Sequence, residues 1–129
     1  MSQTINQTVI FNASPHEVYE ALMDEKIHAR FTTNAAHISR QVGGTFTAYD
    51  GYISGKNIEL IPDRKIVQEW RAVDWKPEQI SLVTFEFNAV PEGTQLVFTH
   101  SGLPAGTEDD FAQGWIDNYW EPMRKMFSD

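Results

Sequence analysis

Thr107-Glu108-Asp109-Asp110-Phe111-Ala112-Gln113-Gly114-Trp115-Ile116-Asp117-Asn118-Tyr119-Trp120-Glu121-Pro122-Met123-Arg124-Lys125-Met126-Phe127 is the stretch whose reading decides the fold of this 129-residue chain. Phe111, Trp115, Tyr119, Pro122 and Met126 recur at three- and four-residue spacing, and Ile116, Trp120, Met123 and Phe127 form an adjacent stripe. The apolar arc is wide, so this helix needs a broad surface to lie against. Thr107 follows the helix-poor run Gly102-Leu103-Pro104-Ala105-Gly106 and is placed to act as N-cap. Glu108, Asp109 and Asp110 set negative charge at the positive end of the helix dipole, and Arg124 and Lys125 suit the other end. Pro122 has no N–H to give to the carbonyl of Asn118, which predicts a kink within one helix.

Nothing upstream is a helix of comparable length. Thr4 to Ala13 alternates, with Ile5, Gln7, Val9 and Phe11 on one side, and reads as a strand with one wetter face. Ser14-Pro15-His16-Glu17 is a capping box with proline at the first helical position, opening a short helix that ends near Asp24. A second short helix is predicted from Lys26 to Phe31. Strands follow over Ala36–Arg40, Thr45–Asp50, Tyr52–Ile61, Lys65–Val73, Ile80–Val90 and Thr94–Ser101. Gly43-Gly44, Asp50-Gly51, Pro62-Asp63 and Pro91-Glu92-Gly93 are turn signals at hairpin spacing, with a looser loop at Trp75-Lys76-Pro77-Glu78. Neighbouring strands therefore pair as an antiparallel meander. The first strand is expected to close the sheet beside the last. The result is a two-layer α+β domain in which a curved antiparallel sheet wraps the long C-terminal helix, with two short helices after the first strand. A pocket could lie between sheet and helix.

Composition sets limits on the function. The length suits a single domain over residues 1–129, and 41% hydrophobic with 22% charged residues is the balance of a globular protein. No apolar run approaches the roughly 20 residues that cross a bilayer. Met1 to Gln7 has no basic region followed by an apolar core, so a cytoplasmic location is expected, and the sequons at Asn6 and Asn12 read as chance matches. The absence of cysteine removes disulfides, thiolate nucleophiles and zinc–thiolate sites. A net charge of −8 with scattered Lys and Arg argues against a nucleic-acid partner.

A set of ordered motifs carries a family resemblance. Gly43-Gly44-Thr45-Phe46, Asp50-Gly51-Tyr52-Ile53-Ser54-Gly55, Ile66-Val67 with Trp70-Arg71, His100-Ser101-Gly102-Leu103-Pro104, and Gln113-Gly114-Trp115 with Tyr119-Trp120-Glu121-Pro122 resemble the heat-shock-protein-90 ATPase activator-like family. That family belongs to the START-like, or SRPBCC, helix-grip superfamily, and the resemblance runs from Ala13 to the last helix. It implies the helix-grip fold. It also implies two kinds of partner, an apolar or amphipathic small molecule held between sheet and helix, or a chaperone. Fold analogy alone does not choose between them.

Phe46, Trp70, Phe85, Phe87, Trp115 and Tyr119 are the aromatic candidates for lining such a pocket, against the simpler reading that they fill a core. Gln68 shares the face of Ile66 and Trp70 and is a candidate hydrogen-bonding group for a ligand. His100 shares a face with Leu96 and Phe98, aiming its imidazole toward the helix, as a ligand contact, a satisfied core histidine, or the base of a small cyclase- or hydrolase-like enzyme. Ser101 points the opposite way and cannot readily pair with it. Arg71 and Glu69 read as a solvated pair. His16, His28 and His37 have no metal-ligand spacing, and no phosphate loop or dinucleotide fingerprint exists, so neither metal nor cofactor is expected.

Overall fold

The structure is a computed structural model that describes residues 3–32, 36–73, 75–76, 79–104 and 106–127. Strand β1 (Gln3–Phe11) leads into helices α1 (Pro15–Met23) and α2 (Glu25–Thr32). Then come β2 (His37–Ile38), β3 (Thr45–Ala48), a 3₁₀ turn at Tyr49–Gly51, β4 (Ile53–Ile61), β5 (Lys65–Ala72), β6 (Ser81–Val90) and β7 (Gly93–Leu103). The C-terminal helix consists of α3 (Glu108–Trp115), a π-helical turn at Ile116–Trp120 and α4 (Glu121–Phe127). The seven strands form one antiparallel sheet in the order β1-β7-β6-β5-β4-β3-β2, so the meander is continuous and β1 closes it beside β7. The five-residue strand expected at Ala36–Arg40 shrinks to the two-residue edge strand His37–Ile38. Of the loop read at Trp75 to Glu78, Pro77 and Glu78 lie outside the described residues, as do Met1, Ser2 and Ala105.

Local chemistry accounts for these elements. The capping box is complete: Ser14 Oγ accepts from the Glu17 amide while the Glu17 carboxylate accepts from the Ser14 amide. At the β6–β7 hairpin Val90 pairs with Gly93, whose φ of +135° suits only glycine. Along β5 to β7 the inward positions Ile66, Trp70, Val83, Phe85, Phe87, Leu96 and Phe98 are buried, as period two requires. They meet Trp115, Tyr119, Trp120 and Met123 from the C-terminal helix. Gly55 sits between Phe46 and Trp70, its pairing partners on either side, and the Phe46 ring lies 2.6 Å from where a Cβ would stand.

Two expectations about the helix are corrected. Thr107 precedes α3, but its hydroxyl caps no helical amide; it donates back to the Pro104 carbonyl at 2.6 Å. The irregularity attributed to Pro122 takes the form of a π turn over the five residues Ile116–Trp120, upstream of the proline, where the Glu121 amide reaches back to the Ile116 carbonyl.

Candidate functional site

The interface between sheet and helix is an aromatic cluster. Trp70 on β5 and Trp115 on α3 lie 5.9 Å apart between ring centroids, Trp115 stands 4.4 Å from Phe98 and 4.5 Å from Tyr119, and Phe85 approaches Trp115 at 5.9 Å. These are the separations at which ring quadrupoles and van der Waals contact both favour packing. Beneath the helix lies an inner space of about 20 Å³, lined by residues that include Phe46, Gln68, Trp70, Phe85, Trp115 and Tyr119. That is room for about one water molecule. Phe87 is not part of this lining: its ring packs edge-on against Tyr19 of α1, 5.8 Å away.

His100 is fully buried and its hydrogen bonding is complete. Trp115 Nε1 donates to His100 Nδ1 at 3.0 Å, so Nδ1 is unprotonated and the neutral ring carries its hydrogen on Nε2. Nε2 then donates to Ser81 Oγ at 2.7 Å, and the Ser81 hydroxyl donates to the Trp70 carbonyl at 2.8 Å. Burial pushes the imidazole pKa down to about 3. The candidate base is thus a neutral structural link joining β5, β6, β7 and α3. Both of its nitrogens are occupied by protein partners and none of its surface is exposed. Ser101 does stay apart from it; the serine that pairs with it is Ser81, diagonal to it on the neighbouring strand.

Gln68 is buried as well, but its Nε2 donates to Asn57 Oδ1 at 3.0 Å, and Asn57 Nδ2 in turn donates to the carbonyls of Ser39 and Gln41. The pair fastens β5 and β4 to the segment ahead of β3. Arg71 does not form the expected pair with Glu69; its Nη2 donates to the carbonyls of Trp75 and Lys76 and holds that loop against β5. His28 is buried with Nε2 at 3.0 Å from the Tyr119 hydroxyl, and its Nδ1 has no partner. Desolvation lowers its pKa to about 4. Among the described residues no group of three His, Asp or Glu side chains is placed to hold a metal ion.

An open groove lies at the mouth of the sheet–helix interface. This groove of about 320 Å³ is bounded by Tyr49, Tyr52 and Ile53 on one side and by Asp110, Phe111, Gly114, Asn118 and Tyr119 on the other, with Trp70 and Trp115 between them. Trp70, Trp115 and Tyr119 also line the inner space, so they form the wall between groove and core. Gly114 presents no side chain here, which keeps the groove continuous along the helix. Tyr49 adopts a left-handed φ of +52°, uncommon for a bulky residue, and its hydroxyl reaches the Asn118 carbonyl at 2.8 Å. Of the eight sequence candidates, Trp70, Trp115 and Tyr119 meet at this groove. The residues that the sequence reading passed over are Tyr49, Tyr52 and Phe111, whose signal was an aromatic in a turn, an aromatic after Gly51, and the first residue of the helix's apolar stripe.

The family described as Activator of Hsp90 ATPase homolog 1-like protein matches residues 12–128. The chain is 31% identical over 124 residues to the human Activator of 90 kDa heat shock protein ATPase homolog 1, covering 96% of this chain and 36% of that protein. It is 27% identical over 122 residues to the mouse homolog 2, covering 95% of this chain and 37% of that protein. It therefore spans about a third of the length of the curated relatives it matches. The crystal structure of an HSP90 activator from Plasmodium falciparum superposes with a TM-score of 0.89 at 28% identity, covering 99% of this chain and 96% of that one. The solution structure of the Aha1 dimer from Colwellia psychrerythraea, at 22% identity and a TM-score of 0.77 over 95% of this chain and 96% of that one, shows the shared helix-grip fold.

Proposed function

The chain belongs to the Activator of Hsp90 ATPase homolog 1-like protein family, and on that premise we propose that it is a protein-interaction module that engages a heat-shock-protein-90-type chaperone through the Trp70–Trp115 groove. The observation that carries this reading is the contrast between a filled interior and an open aromatic mouth. A carrier enclosing its ligand beneath the helix needs several hundred Å³ there, whereas the inner space holds about 20 Å³ and the larger volume is the open groove at its mouth. Open clefts walled by Trp and Tyr are where protein partners seat their anchoring side chains. The reading also carries the cytoplasmic location expected from the sequence.

The test uses the heat-shock-protein-90-type chaperone of the same organism. Calorimetry should detect binding, and the chaperone's ATP hydrolysis rate should change when the protein is added. Gly114→Leu puts a side chain into the groove without disturbing the core, and is expected to keep the thermal melt while weakening binding by roughly tenfold or more. Absence of binding would overturn the proposal, and unchanged binding by Gly114→Leu would remove the groove from it.

One observation favours a second reading: about 320 Å³ is within the size range of small-molecule sites. On that reading an apolar small molecule sits in the groove rather than beneath the helix. Native mass spectrometry of protein purified from its own host would show it as a bound mass that Gly114→Leu abolishes.

A further inference from the structure

We infer that the groove is selective for a cationic side chain, arginine or lysine, presented by the protein partner, with the apolar stem against Trp70, Phe111 and Trp115 and the charge beside Asp110. The inference rests on the interaction-module reading and adds the chemistry of what is recognised. Four observations converge on it.

The walls are aromatic, and ring faces attract cations through their quadrupole. Phe111 stands 5.6 Å from Trp70 between centroids, and Tyr119 lies 4.5 Å from Trp115 and 5.9 Å from Tyr49, so the rings form a connected surface around the opening. Among the described residues that line the groove, the ionisable side chain apart from the phenols is the carboxylate of Asp110, exposed on the first turn of α3. Among the described residues no Lys, Arg or His lines it. Three of the donors on the lining residues are committed to the protein: Trp115 Nε1 to His100, the Tyr49 hydroxyl to the Asn118 carbonyl, and the Tyr119 hydroxyl to the pairing with His28. The groove thus offers π faces and a carboxylate. Finally, the chain carries a net charge of −8, which steers a basic partner surface toward it and repels an acidic one.

The groove can be probed with N-acetylarginine amide, N-acetyllysine amide and the neutral isostere N-acetylnorleucine amide, followed by the ¹H–¹⁵N signals of Trp70 and Trp115. The two cationic probes should shift these signals with affinities roughly tenfold above norleucine amide. Asp110→Asn keeps shape and removes charge. It should weaken the cationic probes roughly two- to fivefold and leave norleucine amide unchanged. The same variant should weaken chaperone binding by a similar factor, with the difference shrinking as salt is raised from about 50 to about 500 mM. Equal affinity for norleucine and arginine amides, no shift from any probe, or an Asp110→Asn protein that binds arginine amide or the chaperone as tightly as the parent would each overturn the inference. Failure of the underlying reading looks different: the cationic probes would bind in the expected order while the chaperone does not bind at all.

Discussion

The hydroxyl of Tyr49 donates at 2.8 Å to the carbonyl of Asn118, which lies four residues ahead of Pro122 and so is one that the proline cannot serve. An imperfection in the helix and a strained residue in a turn thereby complete one another. Tyr49 holds a left-handed φ, a conformation that costs about 1 kcal/mol or more for such a residue, and Pro122 has no N–H to offer the Asn118 carbonyl. Their bond also fixes one wall of the groove against the other. The two walls come from the β3–β4 turn and the C-terminal helix, and this contact bridges them.

Tyr49→Phe keeps the ring and deletes the bond. It should destabilise the protein by about 0.5–1.5 kcal/mol, the net worth of an intramolecular hydrogen bond, and accelerate amide exchange around the π turn. Urea melts and hydrogen exchange together test this. Superimposable melts would mean that water serves the Asn118 carbonyl equally well.

Gly114→Ala separates stability from binding. A Cβ at this position would meet the Asn118 side-chain nitrogen at 3.8 Å, ordinary contact, so alanine's helical preference acts unopposed. A gain of about 0.5–1 kcal/mol in thermal or urea unfolding is expected. A loss instead would place backbone strain at this turn that glycine relieves.

Much of this architecture is legible in the sequence because it depends on short-range signals. Period-two alternation and Gly-, Pro- and Asp-marked turns fix the meander from Thr45 to Leu103, and the stripe from Phe111 to Phe127 fixes the helix that it wraps. The direction of His100 is legible for the same reason. Its partner is not, because Ser81 reaches it only through the β6–β7 register, which pairs Val83 with His100. Pro122 announces a missing hydrogen bond, yet the donor that reaches the Asn118 carbonyl is Tyr49, 69 residues away in sequence. Aromatic residues at strand and helix spacing cannot disclose whether they fill a space or surround one. Here Phe85 fills and Trp70 does both.

The buried histidines set a pH dependence. His28 and His100 have pKa values lowered by desolvation to about 4 and about 3. Between there and about 6.5 the unfolded chain binds protons that the native state does not, so stability rises with pH through this window and falls on acidification. The limiting slope is about 1.4 kcal/mol per pH unit for each histidine. Glu17, held low by its hydrogen bonds to Ser14, acts in the same direction at lower pH. His16, raised by its contact with Asp63, acts oppositely, its contribution present below pH 6.5 and lost as pH rises, but it is exposed and weak. Urea midpoints should therefore fall from pH 7 to pH 5, and the fall should be shallower in His28→Leu, which removes one of the two groups. A flat profile would mean that the histidines titrate normally and are reached by water.

Gln7 supplies the last prediction. It shares the inward face of β1 with Ile5, Val9 and Phe11, and a polar residue in that company needs partners. It has them on the helix: Trp120 Nε1 donates to Gln7 Oε1 at 2.7 Å, and Gln7 Nε2 donates to the Ala112 carbonyl at 3.0 Å. One side chain thus bonds the helix on both sides of Trp115 and Ile116 and joins the edge strand to the π turn. Gln7→Leu has similar volume and removes both bonds, leaving the indole N–H of Trp120 buried without an acceptor, a loss of about 1–3 kcal/mol. Gln7→Glu retains an acceptor for the indole but sets a carboxylate against the Ala112 carbonyl, so it should recover part of the loss at acid pH, where a protonated carboxyl can donate, and little at neutral pH. Comparing urea midpoints of the two variants at pH 7 and pH 5 separates the hydrogen bonds from side-chain volume. If Gln7→Leu melts with the parent protein, apolar packing alone docks β1 against the helix and these two bonds contribute nothing net.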